Sequence, residues 1–562
     1  MGQKLLVLGG GFGGLYAARE LRKRFGETAD IQLISEENYF VFQPLLPEVA
    51  AGAIAEMNAV TSLRELLKGV RLRKATIHSV DFDRQVVTVF QGVQRRPTEI
   101  EYDHLVVAMG SRIDLSRVPG LSDHALQMKT LDDARRLRAH IIERLEHADV
   151  TFLPEVKREA LTFVVVGAGF SGIETVGEMK ELIDRSLKYY PNIDPSEIRV
   201  VAVEFAPRAL NELPESLAAY AVKQLEARGV EVMLNTGVAS ATGRRLVTST
   251  GEEIPTRTIV ATIGNAPSPI VLEMNLALNH GRVAVDRTLR AQGRDNVWSL
   301  GDCAMIPLKE AATERGDFAP PTAQFAVREA RHLAKNIQAA VQGKPLSVFQ
   351  YKSRGSLASL GAHRGVAEVF GVKLSGYPAW LLWRIYYLSF MPGFDTKLRV
   401  FLSWFLDGIR PRSVVQLDVS GKDGARYVHF AKGDRVFEKG NRSDGFYTVV
   451  SGRFEVTYQD DNTGEVTCRE VGPGGHFGER MIMGETTRYG SVVALEDGKV
   501  LVLGRAEFEK LSTTFDAMGD YFEGYIKDTY GVDWHPARPL GAPAPKAPTD
   551  VTPAAAKQSA AE

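Results

Sequence analysis

The stretch Thr162–Glu174, TFVVVGAGFSGIE, constrains this chain more than any other. Phe163 to Val166 read as a buried strand of a parallel sheet. Gly167, Gly169 and Gly172 then give G-x-G-x-x-G, ahead of a helical pattern that runs through Met179. The first glycine allows a tight turn, the second lets a pyrophosphate approach the backbone, and the third lets the helix pack on the strand. Phosphates then rest at a helix N-terminus, where free N–H groups and the dipole favour anions. One such motif is a weak sign, because a glycine-rich turn in any α/β protein can imitate it. Here it occurs twice: Leu5–Gly14, LLVLGGGFGG, carries Gly9, Gly11 and Gly14 at the same spacing. Two dinucleotide sites in one chain point to two cofactors that must meet, and so to electron transfer.

A length of 562 residues suggests three or four domains. The net charge of -1 supplies no global field for nucleic acid. Cys303 and Cys468 are the only cysteines, which excludes a disulfide framework and fits a reducing compartment. No C-x-x-C or C-x₄-C pair exists to act as a redox dithiol. Nothing suggests a metal site. Met1–Gln3 runs straight into the first strand, which leaves no room for a signal peptide. No uncharged apolar run reaches the roughly 18 residues that a membrane span requires. The expectation is a protein in the cytoplasm, or peripheral at the cytoplasmic face of the inner or plasma membrane.

Lys4–Leu8 is the first strand, with a helix over Leu15–Arg24 after its glycines. The next strand, Ile31–Ile34, should end in an acid that holds an adenosine ribose, and Glu36 is the candidate; a solvated loop carboxylate is the alternative. Asn38–Gly52, NYFVFQPLLPEVAAG, reads either as core or as a segment touching cofactor or substrate. Leu105–Ser111, LVVAMGS, is a buried strand that ends at Gly110. In the second unit the strand Arg199–Val203 ends at Glu204, placed to accept both hydroxyls of an NADH ribose. A carboxylate there repels a 2′-phosphate, so NADH is favoured over NADPH, although Arg208 lies nearby. Thr258–Gly264, TIVATIG, mirrors LVVAMGS and closes at Gly264, and Asn296–Ala304 brings Gly301-Asp302.

This order of motifs resembles the two-dinucleotide-binding flavoproteins, in which an Asp at the position of Asp302 accepts a ribityl hydroxyl. NYFVFQPLLPEVAAG, GAGFSGIETVGEM, NIDPSEIRVVAVE, PPTAQFAVREARHLAKNI and SGYPAWLLWRIYYL together resemble type II NADH:quinone oxidoreductases, over roughly residues 1–417. The resemblance implies one non-covalent FAD that takes hydride from NADH and passes both electrons to a membrane quinone, with no proton pumped. It implies that Glu174 lies near the nicotinamide and Ala323-Gln324 at the quinone end of the flavin. Arg328 stands where the family has a second glutamine, and Ala330 where glycine is frequent. A homodimer is also expected.

Val372–Arg412 holds Trp380, Trp383 and Trp404 among many aromatic and basic residues, with a break at Pro392-Gly393. Such a pair of apolar helices suits the headgroup layer of a membrane surface, with a dimer interface or a core-capping hairpin as alternatives. Beyond a linker at Pro411–Asp423 the pattern turns all-β. KGDRVFEKGNRSDGFYTVVSG and GPGGHFGERMIMGETTRYGSV resemble the cyclic-nucleotide-binding β-roll. That likeness implies a cAMP or cGMP site built on Gly478, Glu479, Arg488 and Ser491, with Met481-Ile482 in place of the usual Ala-Leu.

The expected fold is therefore α/β, with two Rossmann-like dinucleotide-binding domains, for FAD and NADH, an amphipathic helical membrane-association segment and a C-terminal β-roll. The expected boundaries are 1–118 and 293–345 for the FAD domain, 119–292 for the NADH domain and 346–412 for the membrane segment. The β-roll takes 419–530, and 531–562 is a disordered tail rich in Pro and Ala. Two other readings stay open: a soluble flavin reductase with a non-quinone acceptor, and a nucleotide-sensing regulator on a redox scaffold.

Overall fold

The computed structural model describes residues 2–416, 425–443, 445–459, 466–483, 487–530 and Trp534. Apart from Trp534, the tail 531–562 lies outside the described residues, as do residues 417–424 of the linker. The chain divides into two compact units, Met1–Val419 and Ser420–Glu562.

The larger unit is built on two sheets. Leu5 to Leu8 are buried on both faces, as a continuous apolar run in a parallel sheet requires. Their strand, Gln3–Leu8, is central in the order Val297–Ser299, His104–Val107, Gln3–Leu8, Ala29–Ser35 and Arg71–Asp81, all parallel. Val86–Gln91 and Arg96–Glu101 extend the edge antiparallel. The chain leaves this sheet after Val107, builds the second, and returns to it at Val297. The second sheet is wholly parallel, in the order Ala125–Gln127, Thr258–Ala261, Thr162–Val166, Arg199–Val203 and Val230–Met233. Strands after Ala261 pair elsewhere. Asn265–Pro267 lies against Ser111–Ile113, and Arg282–Ala284 against Ala304–Met305.

Most of the stretch Asn38–Gly52 is buried. Tyr39–Val41 pairs with Val60–Ser62, and the side chains of Phe40, Phe42, Leu45, Leu46 and Val49 are buried. Phe42 meets the rings of Phe12, Tyr387 and Phe390.

A three-stranded antiparallel sheet (Gly355–Ser359, Gly365–Val369, Val372–Gly376) leads into two helices, Tyr377–Phe390 and Phe394–Asp407. The tryptophans of these helices face inward. Trp380, Trp383 and Trp404 are only 7%, 1% and 6% exposed, and Arg412 only 6%. Spacings of three and four residues put Trp380 with Trp383, and Val400 with Trp404, on one inward stripe. The outward stripe is Tyr377, Leu381, Ile385, Phe394, Leu398, Phe401, Leu402 and Phe405, all exposed. No described helix is long and apolar enough to cross a membrane.

The second unit packs two four-stranded antiparallel sheets face to face. One is ordered Arg426–Phe430, Gly498–Leu503, Phe446–Ser451 and His476–Phe477; the other is Arg435–Phe437, Gly490–Ala494, Phe454–Gln459 and Val466–Val471. Val449, Phe454, Val456, Phe477, Val492 and Val500 fill the space between them. Helices Arg505–Thr514 and Asp516–Tyr530 add a second cluster around Phe446, Phe508, Phe522 and Ile526.

Candidate functional site

Both glycine turns fold to the same geometry. Gly9 and Gly167 take φ of 102° and 101°, a left-handed conformation that favours glycine. A methyl group on Gly14 would lie 1.9 Å from the carbonyl oxygen of Gly9, and one on Gly172 would lie 1.8 Å from that of Gly167. Those contacts fix the third glycine of each motif. At Gly11 and Gly169 a methyl would meet no atom within 4 Å. Each turn therefore leaves an open cradle beside the start of a helix, Phe12–Phe25 in one case and Phe170–Ser186 in the other. A dinucleotide pyrophosphate fits both.

Each cradle has an acid near the end of the neighbouring strand. Glu36 is exposed just past Ala29–Ser35. Glu204 follows Arg199–Val203, and its carboxylate accepts hydrogen bonds from Ala168 N (2.6 Å) and Ala206 N (2.8 Å). Two backbone donors hold it beside the second turn while lone pairs remain for ribose hydroxyls. Arg208 Nη2 donates to the Asn211 carbonyl at 2.9 Å. Gly264 takes φ of 86°, and its carbonyl accepts from Asp114 N at 2.8 Å, tying the crossover back to the strand Ser111–Ile113.

Two motifs distant in sequence meet at the edge of the first sheet. His104–Val107 and Val297–Ser299 are parallel neighbours, which brings Gly110-Ser111 beside Gly301-Asp302. Ser111 Oγ donates to Asp302 Oδ2 at 2.8 Å, and Lys129 Nζ lies 3.6 Å from the same oxygen. Gly301 N donates to Glu329 Oε2 at 2.8 Å. Burial pushes the Glu329 carboxyl up to about 7, against this bond and Arg282. Neither Lys129 nor Glu329 was visible in sequence, because their partners are known only once the strands are paired.

The densest chemistry lies under the helix pair. Glu174 is buried, and its Oε1 accepts from Trp383 Nε1 (2.7 Å) and Ser359 N (3.1 Å). Burial still dominates these bonds and pushes the Glu174 carboxyl up to about 8. Glu48 accepts from Trp404 Nε1 at 2.6 Å and lies 3.6 Å from Arg384, whose guanidinium stacks over Trp380 and Trp404. Burial raises Glu48 to about 7. Glu178, one helical turn after Glu174, pairs with Arg412 at 3.1 Å, and Arg412 also pairs with Asp407. Burial raises Glu178 as well, opposed by Arg412. Two signals could have marked this cluster: a lone acid inside the apolar run at Glu48, and the Glu174/Glu178 spacing on a buried helix.

Gln324 is the second residue of the helix Ala323–Val341, and its Oε1 accepts from Ser353 Oγ at 3.1 Å. Arg328 donates to the Gln324 carbonyl at 3.0 Å and lies over the Tyr351 ring.

In the β-roll Gly478 takes φ of 82° ahead of the short turn Glu479–Met481. Glu479 is buried, 3.7 Å from Arg469 and within reach of the Tyr525 hydroxyl. Arg488 is also buried. It donates to the Gly445 carbonyl at 2.7 Å and stacks over Phe437 and Tyr447. Ser491 Oγ accepts from Lys439 N at 3.0 Å. Gly478, Glu479 and Arg488 line a cavity of about 20 Å³ with Phe437, Tyr458 and Tyr489. Ser491 is not among the residues that line it, and the space is far below the ~300–1,000 Å³ of small-molecule sites.

Three family profiles match: pyridine nucleotide-disulphide oxidoreductase over residues 3–330, NDH2 C-terminal domain over 353–413, and cyclic nucleotide-binding domain over 427–515. Among characterised relatives, the type II NADH:quinone oxidoreductase NdhA of Mycobacterium tuberculosis is 32% identical, over 71% of this chain and 86% of its own. A type II NADH:quinone oxidoreductase of Staphylococcus aureus is 32% identical, over 67% and 92%. Among solved structures, NDH2 from Plasmodium falciparum in complex with NADH aligns with a TM-score of 0.67 at 20% identity, over 74% of this chain and all of that one. A sulfide:quinone oxidoreductase from Aquifex aeolicus aligns with a TM-score of 0.56 at 17% identity, over 71% and 92%.

Proposed function

From the premise that the chain belongs to the type II NADH:quinone oxidoreductases, within the pyridine nucleotide-disulphide oxidoreductase family, we propose how its residues divide the work. The enzyme oxidises NADH and reduces a quinone, with FAD as its cofactor. The observation that carries the division is the pair of open cradles, each followed by a strand-end acid. Gly9, Gly11 and Gly14 hold the FAD pyrophosphate, with Glu36 on its ribose and Asp302 on its ribityl chain. Gly167, Gly169 and Gly172 hold NADH, with Glu204 on its ribose. Bound FAD supplies the two-electron chemistry. The protein binds, orients and manages protons.

Reducing a quinone by two electrons takes up two protons, and NADH brings one with its hydride. Glu174 holds a further proton at neutral pH. Trp383 and Ser359 both donate to Oε1, so the proton resides on Oε2. Gln324, fixed through Ser353, is the polar group assigned to the quinone end, and Arg328 is turned back onto its own helix and Tyr351. The exposed stripe from Tyr377 to Phe405 is read as docking flat on a membrane surface, where the quinone resides. A homodimer is part of the same reading, checked by sedimentation velocity.

The deciding measurement is NADH oxidation by the FAD-loaded enzyme with a soluble quinone analogue, compared with ferredoxin and oxygen. Quinone should support the fastest turnover, and a rate independent of quinone would overturn the assignment. The β-roll is read as a sensor of cAMP or cGMP, because Glu479 and Arg488 converge on one cavity. Binding there requires the cavity to open and Arg488 to exchange the Gly445 carbonyl for phosphate. A ligand would affect turnover only by favouring one of two states of the protein. Calorimetry on the full chain tests the reading, and no heat at millimolar cAMP or cGMP would leave the β-roll a structural appendage.

A further inference from the structure

Among the described residues, five cations line one open cleft of about 830 Å³ at the edge of the first sheet: Arg64, Arg71, Arg73, Lys74 and Arg96. No carboxylate and no aromatic side chain lines it. Arg71 is 3.6 Å from Asp30, and Arg73 donates to Gln32 and Gln91. Arg64, Lys74 and Arg96 are exposed and make no ion pair or side-chain hydrogen bond among the described residues. Arg64, Lys74 and Arg96, gathered without ion-pair partners among the described residues, repel one another, so the arrangement favours an anionic ligand.

The cleft is joined to the helix pair by one short helix, Leu63–Leu66. Arg64 on that helix lines the cleft. Leu66, half a turn later, faces Gly393 at the start of Phe394–Asp407, and Thr61 hydrogen-bonds Thr396 at 3.0 Å. Phe394, the first residue of that helix, is 81% exposed. At the hairpin tip by the cleft, Val93 is wholly exposed. Cations flanked by exposed apolar side chains suit the headgroup layer of a bilayer. A single-stranded nucleic acid would instead call for aromatic stacking platforms.

We propose that this cleft binds the phosphate headgroup of an anionic phospholipid beside the apolar docking face. The inference rests on the membrane reading above and adds a lipid preference to it. The test uses the FAD-loaded full chain with vesicles of phosphatidylcholine alone, and of phosphatidylcholine with one-third phosphatidylglycerol, at low salt. The triple variant Arg64→Gln/Lys74→Gln/Arg96→Gln changes only exposed side chains. Wild type should bind the anionic vesicles more tightly, and the variant should lose about 100-fold there, at ~1 kcal/mol per charge near the surface. Binding to neutral vesicles and NADH-to-dye activity should not change.

Equal wild-type binding to both vesicles would overturn the headgroup site and leave the docking face standing. Binding to neither would overturn both. Glycerol phosphate that binds the wild type as tightly as the anionic vesicles do would identify a site for free phosphate, against the proposal. So would an oligonucleotide that binds with the same loss in the variant while vesicle binding is unaffected.

Discussion

Glu204 is where donor choice and position coincide. Its two backbone hydrogen bonds hold the carboxylate beside the second glycine turn. Glu204→Ala should raise KM for NADH about tenfold, ~1.4 kcal/mol, with little change in kcat, since ribose binding contributes equally before and during hydride transfer. The NADH over NADPH preference should narrow as the repulsion of a 2′-phosphate disappears. Steady-state kinetics with both nucleotides checks this, and a wild type with equal kcat/KM for the two would sink it. Glu174 has the opposite character. Burial outweighs its bonds from Trp383 and Ser359 and pushes its carboxyl up to about 8.

The helices Tyr377–Phe390 and Phe394–Asp407 show how much of an element can be read from a sequence. The break at Pro392-Gly393 and their apolar character were legible, because each is local. Their facing was not. The indoles of Trp383 and Trp404 turn inward because Glu174 and Glu48, 209 and 356 residues away, offer carboxylates to them. No periodicity within the helices encodes partners so distant. The glycine turns were legible for the reverse reason, since a clash between Gly14 and Gly9, or Gly172 and Gly167, arises within one turn of chain. The inward facing of the tryptophans decides what mutation should do. Phe394→Ser, Phe401→Ser and Phe405→Ser together should release the protein from vesicles without lowering its melting temperature. Trp404→Phe should leave vesicle binding intact and cost about 1–3 kcal/mol, because buried Glu48 loses its donor. Vesicle sedimentation and thermal unfolding separate the two outcomes. Loss of vesicle binding in Trp404→Phe at full stability would show that Trp404 itself meets the membrane.

At the scale of the molecule, the buried acids make stability depend on pH. Glu48, Glu174, Glu178 and Glu329 all lie above the ordinary carboxyl value through burial. Between about pH 4.5 and 8 the folded state therefore holds protons that the unfolded chain releases, and stability falls as pH rises through that window. Glu174→Gln cannot ionise, so the difference in melting temperature between pH 5 and 8.5 should shrink by roughly a few degrees relative to wild type. An unchanged difference would mean that Glu174 is ionised in the folded protein at neutral pH.

The return of the chain to its first sheet has a consequence for synthesis. His104–Val107 stays without its neighbour Val297–Ser299 until roughly 190 further residues have been translated, about 10–40 s at ordinary ribosomal rates. During that interval the second sheet, whose strands all lie between Ala125 and Ala261, can complete itself on the nascent chain. The unit that is interrupted therefore matures after the unit that interrupts it. Until then an apolar strand stands open at its edge, a target for chaperones and for misassembly with another nascent copy.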